Sequence, residues 1–396
     1  MGVREKFLSK LEWIALLVLG LACASSCISE ALFRNCTRVL VVCLIFSFVL
    51  NPQLLKRIAV IKTACISIFL WIFVQCISLL YSGHVAEYLD SNVFTMNYIV
   101  LLFIAGLMYV KSSKQAMNLL FIIFASVVVN DIYVFYQSLN GVHRPVALTA
   151  PAVIVPTMIY AITLPAMLVM VFHKELSNSK RFSAAVCAAM SMAGLICTNT
   201  RGAWIVVFPV LFIIAMYYIK TWQKRIGVSV ACILLAGILL ISFPSVLSRT
   251  NTIVHGSSEN SVTERFRMWH SAYNMGMDNF IFGVGMGNYA DKYQKVYISP
   301  VATEPTQRHA HNTFIQTFAE MGIIGELIYV LMVVSLVGIG VKKYKNYFGM
   351  AFLGGTVALL LYSLTDYTLA IYSAMRVYWL LAGICVAGIY LQEKQM

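Results

Sequence analysis

The feature that most constrains this chain is its division into long apolar runs separated by short polar ones. The runs lie near residues 11–30, 37–51, 63–80, 93–110, 116–137, 151–172, 183–199, 202–219, 226–244, 311–341, 347–366 and 376–391. Most approach the roughly 20 residues a helix needs to cross a bilayer core. Backbone polar groups find no water there, so each run must satisfy its own hydrogen bonds, which a helix does. With 60% hydrophobic and 11% charged residues, a soluble globule is excluded. The expected fold is an all-α polytopic membrane protein of about twelve transmembrane helices. The first run, preceded by Arg4, Lys6 and Lys10, resembles a secretory signal, but the topology below needs it retained as a span.

Basic residues orient the spans. An N-terminus in the cytoplasm places Arg4, Lys6, Lys10, Lys56, Arg57, Lys62, Lys111, Lys114, Lys174, Lys180, Arg181, Lys220, Lys224, Arg225, Lys342, Lys343, Lys345 and Lys394 inside, and leaves the outer loop from Tyr81 to Asn92 without any. Both termini are then expected in the cytoplasm. The net charge of +13 therefore reports topology, and no nucleic-acid partner is expected. Of the ten cysteines, nine fall in apolar runs and Cys36 in an expected short loop. No CxxC pair occurs, so neither zinc nor a disulfide framework is indicated.

One connection is far longer than the rest. Residues 245–310, about 65 residues, divide an expected membrane domain (1–244) from three C-terminal spans (311–396), and loops of this length tend to be functional. This outer loop carries Arg249, Arg265, Arg267, Lys292, Lys295 and Arg308 on the side where positive charge is disfavoured. Membrane lipids, through anionic headgroups, are the simplest partner for such charges. Within it, TERFRMWHSAYNMGMDN reads as an amphipathic helix starting at Thr263 and Glu264. Phe266, Trp269 and Tyr273 would face lipid or the membrane core, with Arg265 and Arg267 on the polar side. The following FGVGMGNY, with Gly283, Gly285 and Gly287, lacks the context of a dinucleotide site and reads as a tight turn. The loop acids Glu259, Glu264, Asp278, Asp291 and Glu304 include no DxD pair, and no Walker-type GxxxxGK[ST] occurs, so neither a bound metal nor ATP is expected.

Two polar segments carry the candidate chemistry. In RHAHNTFIQTFAEMGIIGE, residues 308–326, a helix starting near His311 would put His311, Ile315, Phe318, Gly322 and Gly325 on one stripe. The glycines would then let a neighbouring helix approach. Histidine caps helices and sits in wet interfaces as readily as it catalyses, so this residue alone assigns nothing. In CTNTRGAW, Arg201 lies at the outer mouth between two spans, where its planar fork suits phosphate or simply reaches headgroups. Asp131, Asp366 and Arg376 are the other ionisable groups in outward halves of spans. An Asp366–Arg376 pair is the simplest structural use of two of them.

The ordered set of these parts resembles the superfamily of O-antigen ligases and O-antigen polymerases of bacterial envelopes. It comprises the TRG arginine at a span junction, a long outer loop with an R-x-x-x-W helix and a GxGxGN turn, and HN followed by nine residues and G-x-x-G. The last motif is His311, Asn312, residues 313–321, Gly322 and Gly325. Motifs cover residues 195–330, and span order extends the likeness over the chain. The arginine motif departs from the family in having Thr200 where serine often stands. The resemblance implies a metal-independent, cofactor-free inverting glycosyltransferase on a GT-C-like scaffold, acting at the periplasmic face of the inner membrane. It implies a donor glycan on undecaprenyl pyrophosphate and, as acceptor, a lipid A-core sugar hydroxyl for a ligase or a growing lipid-linked glycan for a polymerase. By motif, Arg201 and Arg265 would bind pyrophosphate and His311 would act on the acceptor hydroxyl, with Arg267, His309, Asn312 and Asp366 as further candidates.

The residue types suit that chemistry independently. Cleaving an anomeric carbon–pyrophosphate bond needs the departing charge neutralised, which two arginines can do. An attacking hydroxyl needs a proton acceptor, for which neutral histidine is fitted. A third reading is a transporter of a lipid-linked glycan, since intramembrane charges also mark transport paths. Against it, the long connection is outer and follows the ninth expected span, and no two similar six-span halves are seen.

Overall fold

The computed structural model describes residues 3–51, 61–83, 99–230, 261–302 and 306–393. Among these no β-strand forms beyond an isolated bridge between Ala147 and Ala150. The helices are α1 (Val3–Ser25), α2 (Glu30–Leu50), α3 (Lys62–Ser82), α4 (Leu101–Tyr109), α5 (Ser113–Leu139), α6 (Ile154–Phe172), α7 (Asn178–Cys197), α8 (Arg201–Tyr218), α9 (Ser261–Asp278), the short α10 (Tyr289–Lys292), α11 (Thr313–Lys343), α12 (Tyr347–Ser363) and α13 (Tyr372–Glu393). Among the described residues nine helices are long and apolar enough to cross a membrane, and α12 is a shorter apolar helix. The chain is an all-α polytopic membrane protein. Of the twelve expected spans, the fourth is described only from residue 99, as α4, and most of the ninth, from residue 231, lies outside the described residues, as do Arg249 and residues 84–92.

The helix boundaries follow from local chemistry. The second span starts at Glu30, not near residue 37, because Ser29 caps it, its side chain accepting from Leu32 N at 3.4 Å, and Glu30 pairs with Arg34 at 3.6 Å. Cys36 is therefore buried inside α2, not in a loop. The centre is formed by α6 and α13, which are apolar all round and enclosed on almost every face. At the contact of α4 with α13, a Cβ on Gly106 would lie 2.6 Å from the Gly383 carbonyl carbon, so two glycines allow the backbones to touch.

The two ends of the bundle differ. At one, Lys111 pairs with Glu12 at 2.8 Å, Lys343 with Glu393 at 2.5 Å, and Arg181 Nε donates to Val171 O at 2.9 Å. The other gathers the α1–α2, α5–α6, α7–α8 and α12–α13 connections with the start of α11. Here Arg376, fully buried, donates from Nε to Ser26 O at 2.7 Å and lies over the rings of Phe33 and Tyr372 at 5.0 and 5.5 Å. The expected Asp366–Arg376 pair is not made. Arg376 lies inside α13 and turns toward α1 and α2, whereas Asp366 sits on the connection before that helix and meets two histidines.

At this second end α9 and the glycine turn form a layer on α11. The face of α9 that packs is Met268, Ala272 and Met275, against Ala319 and Ile315, with Gly276 admitting the Phe318 ring. Of the expected aromatic face, Trp269 packs against this cluster, while Phe266 and Tyr273 are 60% and 52% exposed to the surroundings of the bundle. Flexible methionines and an alanine fit the narrow gap between helices, which large rings would hold open. Gly283, Gly285 and Gly287 all have positive φ, as the tight-turn reading requires.

The stripe expected along α11 is also corrected. The helix begins only at Thr313, His311 stands outside it at φ +50°, and Gly322 breaks it at φ +63°, ψ −165°. Into that break the turn inserts its own backbone. Val284 N donates to Ala319 O at 2.9 Å, Gly285 N to Glu320 O at 2.9 Å, and Ile323 N to Phe280 O at 2.8 Å. Glu320, buried, accepts from Gly287 N at 3.0 Å through its side chain. Gly322 thus serves a backbone-to-backbone junction with residues 281–282 and not a helix crossing.

Candidate active site

The site is assembled where the residues before α11 meet the α12–α13 connection. Asn312 caps α11, its Oδ1 accepting from Phe314 N at 3.0 Å and Ile315 N at 3.2 Å, while its Nδ2 donates to Leu364 O at 3.0 Å. Thr313 Oγ1 donates to Asp366 O at 3.0 Å and accepts from Thr368 N at 3.0 Å. These bonds fasten residues 364–368 across the start of α11. Loss of the cap in Asn312→Ala should cost about 1 kcal/mol and free the connection; thermal unfolding in detergent would show a lowered Tm, and Asn312→Asp, which keeps the acceptor but loses the donor, should fall between.

So fastened, Asp366 meets two histidines. His311 Nδ1 lies 3.2 Å and His309 Nε2 3.7 Å from Asp366 Oδ1, and the imidazole centroids are 4.3 Å apart. The same oxygen accepts from Tyr367 N at 2.9 Å. The Asp366 side chain is 10% exposed, the histidines 28–29%. Burial alone would raise the Asp366 carboxyl, but hydrogen bonds from His309 and His311 and their positive field overcome it and hold the group below the usual carboxylate range. With a depressed folded value, the stabilisation it contributes is present above the ordinary carboxylate pKa and is lost only as pH falls through that lowered value. A carboxylate only accepts, so the facing Nδ1 of His311 carries a proton; in the neutral form of the ring, Nε2 is then the nitrogen with the lone pair. The left-handed backbone at His311 is a local strain that this network holds in place.

An arginine stands beside the pair. Arg265, on α9, donates from Nη1 to Thr365 O at 2.6 Å, next to Asp366. The fields of Arg265 and of Arg144, on the α5–α6 connection, both reach the Tyr362 hydroxyl, as does that of Asp366. Tyr362 in turn bonds Thr157 Oγ1 at 2.8 Å, joining α12 to α6. Arg201 opens α8 and is half-buried. The turn before it, with Asn199 at φ +52°, is tied to the Arg144 connection by Asn199 Nδ2 donating to His143 O at 3.0 Å. Arg267 forms an ion pair with Glu264 on its own helix.

Among the sequence candidates, then, His309, His311, Asn312, Asp366 and Arg265 share one set of contacts, Arg201 stands on a neighbouring turn, and Arg267 is engaged by Glu264. Sequence reading passed over Arg144, an arginine in an otherwise ordinary connection, and Glu320, whose signal was a carboxylate inside an apolar run nine residues after His311. The ligand atoms of His309, His311 and Asp366 lie within 4.8 Å of one another, a spacing that could hold a cation.

No curated protein matches the chain. A family model does, that of the O-antigen ligase domain, over residues 185–330. That stretch contains the arginine turn, α9, the glycine turn, His311 and the break at Gly322, and leaves out Asp366. From within α7 to the first half of α11, the chain is thus similar to the O-antigen ligase family.

Proposed function

We propose that the chain is an inverting glycosyltransferase that moves a glycan from undecaprenyl pyrophosphate to a lipid A-core sugar hydroxyl at the periplasmic face of the inner membrane. The observation that carries this is the His311–Asp366 contact, which in the neutral ring turns Nε2 into the available base, with Arg265 fastened to Thr365 beside it. Nε2 takes the proton of the acceptor hydroxyl while its oxygen attacks the anomeric carbon and the bond to pyrophosphate breaks. Asp366 fixes the tautomer and balances the imidazolium that forms. Arg201 and Arg265 neutralise the departing pyrophosphate without a metal. The bundle is the GT-C-like scaffold of this reaction, with both termini in the cytoplasm, residues 245–310 outside and residues 311–396 returning through the membrane. A repeat-unit polymerase uses the same residues and differs only in acceptor.

The test is transfer by purified protein from an undecaprenyl pyrophosphate glycan, in EDTA, with lipid A core offered as acceptor. Product undiminished by EDTA supports the reading; activity that disappears with EDTA and returns with a divalent cation overturns its metal independence. Lengthening of the glycan on its carrier, without lipid A product, assigns the polymerase, and no transfer by folded protein favours a transporter. Arg201→Lys and Arg265→Lys should each lower kcat/KM by roughly 10²-fold, since an ammonium lacks the planar fork that meets a phosphate with two donors.

A further inference from the structure

At the basic end of the bundle, two hollows meet at Lys342 and Lys343. One, of ≈ 510 Å³, is faced by Lys345, Asn346, Tyr347, Gln392 and two glutamates, Glu175 and Glu393. The other, of ≈ 340 Å³, runs along the bundle between α3 and α11, with apolar walls from Ile61, Ala64, Val334, Ile339 and Tyr390. Ser67 Oγ and Ser335 Oγ, 2.9 Å apart, join the two helices along this slot. Gly338 opens into it, for a Cβ there would meet nothing within 4 Å. Lys62, the first residue of α3, stands at its mouth.

A basin with surplus positive charge, adjoining an apolar slot across two shared lysines, has the chemistry of a receptor for an amphiphile with an anionic head. The lysines alone would say only which side of the membrane they face, and that bias needs no cavity. The slot is the feature the bias leaves unexplained. We propose that these joined hollows bind a phospholipid whose headgroup carries net negative charge, its phosphate among Lys62, Lys342 and Lys345 and an acyl chain in the slot past Gly338. Lys343 is held by Glu393 at 2.5 Å and forms the wall between the two parts. The site lies at the far end of α11 from His311, so it stands whether or not the proposed transfer reaction is right.

Native mass spectrometry of the full chain in detergent, titrated with phosphatidylglycerol or phosphatidylcholine of matched chains, tests this. The wild type should retain phosphatidylglycerol about tenfold more strongly, and Lys62→Gln combined with Lys342→Gln should remove most of that preference. Gly338→Leu changes no charge and fills the slot; it should weaken retention of phosphatidylglycerol by a similar factor. Lys220→Gln with Lys224→Gln removes equal charge at the same end, away from the hollows, and should change nothing. Equal retention of the two lipids, equal loss in the control variant, or full retention by Gly338→Leu would each overturn the proposal. Should Gly338→Leu not fold, the comparison of the two lysine pairs decides alone.

Discussion

His311→Ala should reduce glycan transfer by roughly 10³-fold, within the range that a positioned general base supplies. The loss should fall on kcat, because the arginines that would hold the donor stay in place. His311 lies outside α11 and is partly exposed, so its removal opens no core cavity, and the left-handed backbone at 311 suits alanine no better than histidine. The thermal midpoint should therefore stay within a few degrees of the wild type. Asp366→Asn is the companion: an amide can donate to Nδ1 as well as accept from it, so the Nε2 lone pair is no longer assured, and activity should fall by about 10² with donor binding kept. A His311→Ala protein that folds, binds donor and still transfers at the wild-type rate removes His311 from the chemistry.

Gly322→Ala should destabilise the protein by about 3 kcal/mol and abolish transfer as well, although residue 322 touches no proposed reacting group. At φ +63°, ψ −165° only glycine is at ease, and an added Cβ would be driven into the Ile281 carbonyl. Neither partner can yield, because both are backbone held by the bonds from Ile323 to Phe280 and from Val284 to Ala319. Losing the junction frees α9, and with it Arg265, from the Asp366 connection. The measurements are the detergent-solubilised Tm and hydrogen exchange over residues 280–287; unchanged protection there would show that the turn does not depend on this glycine.

The spans were legible because lipid leaves so few options: an apolar run of sufficient length must be a helix, whatever its neighbours. The tight turn at residues 283–287 was legible for a similar reason, since glycines repeated at that spacing point to backbone that other residues rarely adopt. Pairings were not. Asp366 stands 55 residues beyond His311, and its nearest opposite charge in the sequence is Arg376, which the fold turns the other way. The packing face of α9 was not legible because Phe266, Trp269 and Tyr273 recur at helical spacing, and so do Met268, Ala272 and Met275; periodicity does not say which stripe meets α11. Gly322 and Gly325 read as a helix-crossing motif, whereas the break at Gly322 comes from a loop forty residues upstream. His311, Arg265 and Asn312 were identified by the company of their motifs, and their geometry came only with the connection that Asn312 and Thr313 fasten.

Between the Asn312 cap and the break at Gly322 runs one uninterrupted piece of helix, residues 313–321, with a rise of about 14 Å. Its lower end is fixed by the glycine turn and its upper end carries His311. This piece therefore acts as a ruler that sets the height of the imidazole above the turn and its angle about the helix axis. One residue more or less would swing His311 by about 100° and shift it by about 1.5 Å. Side chains along the ruler can change within the limits of packing; its length cannot.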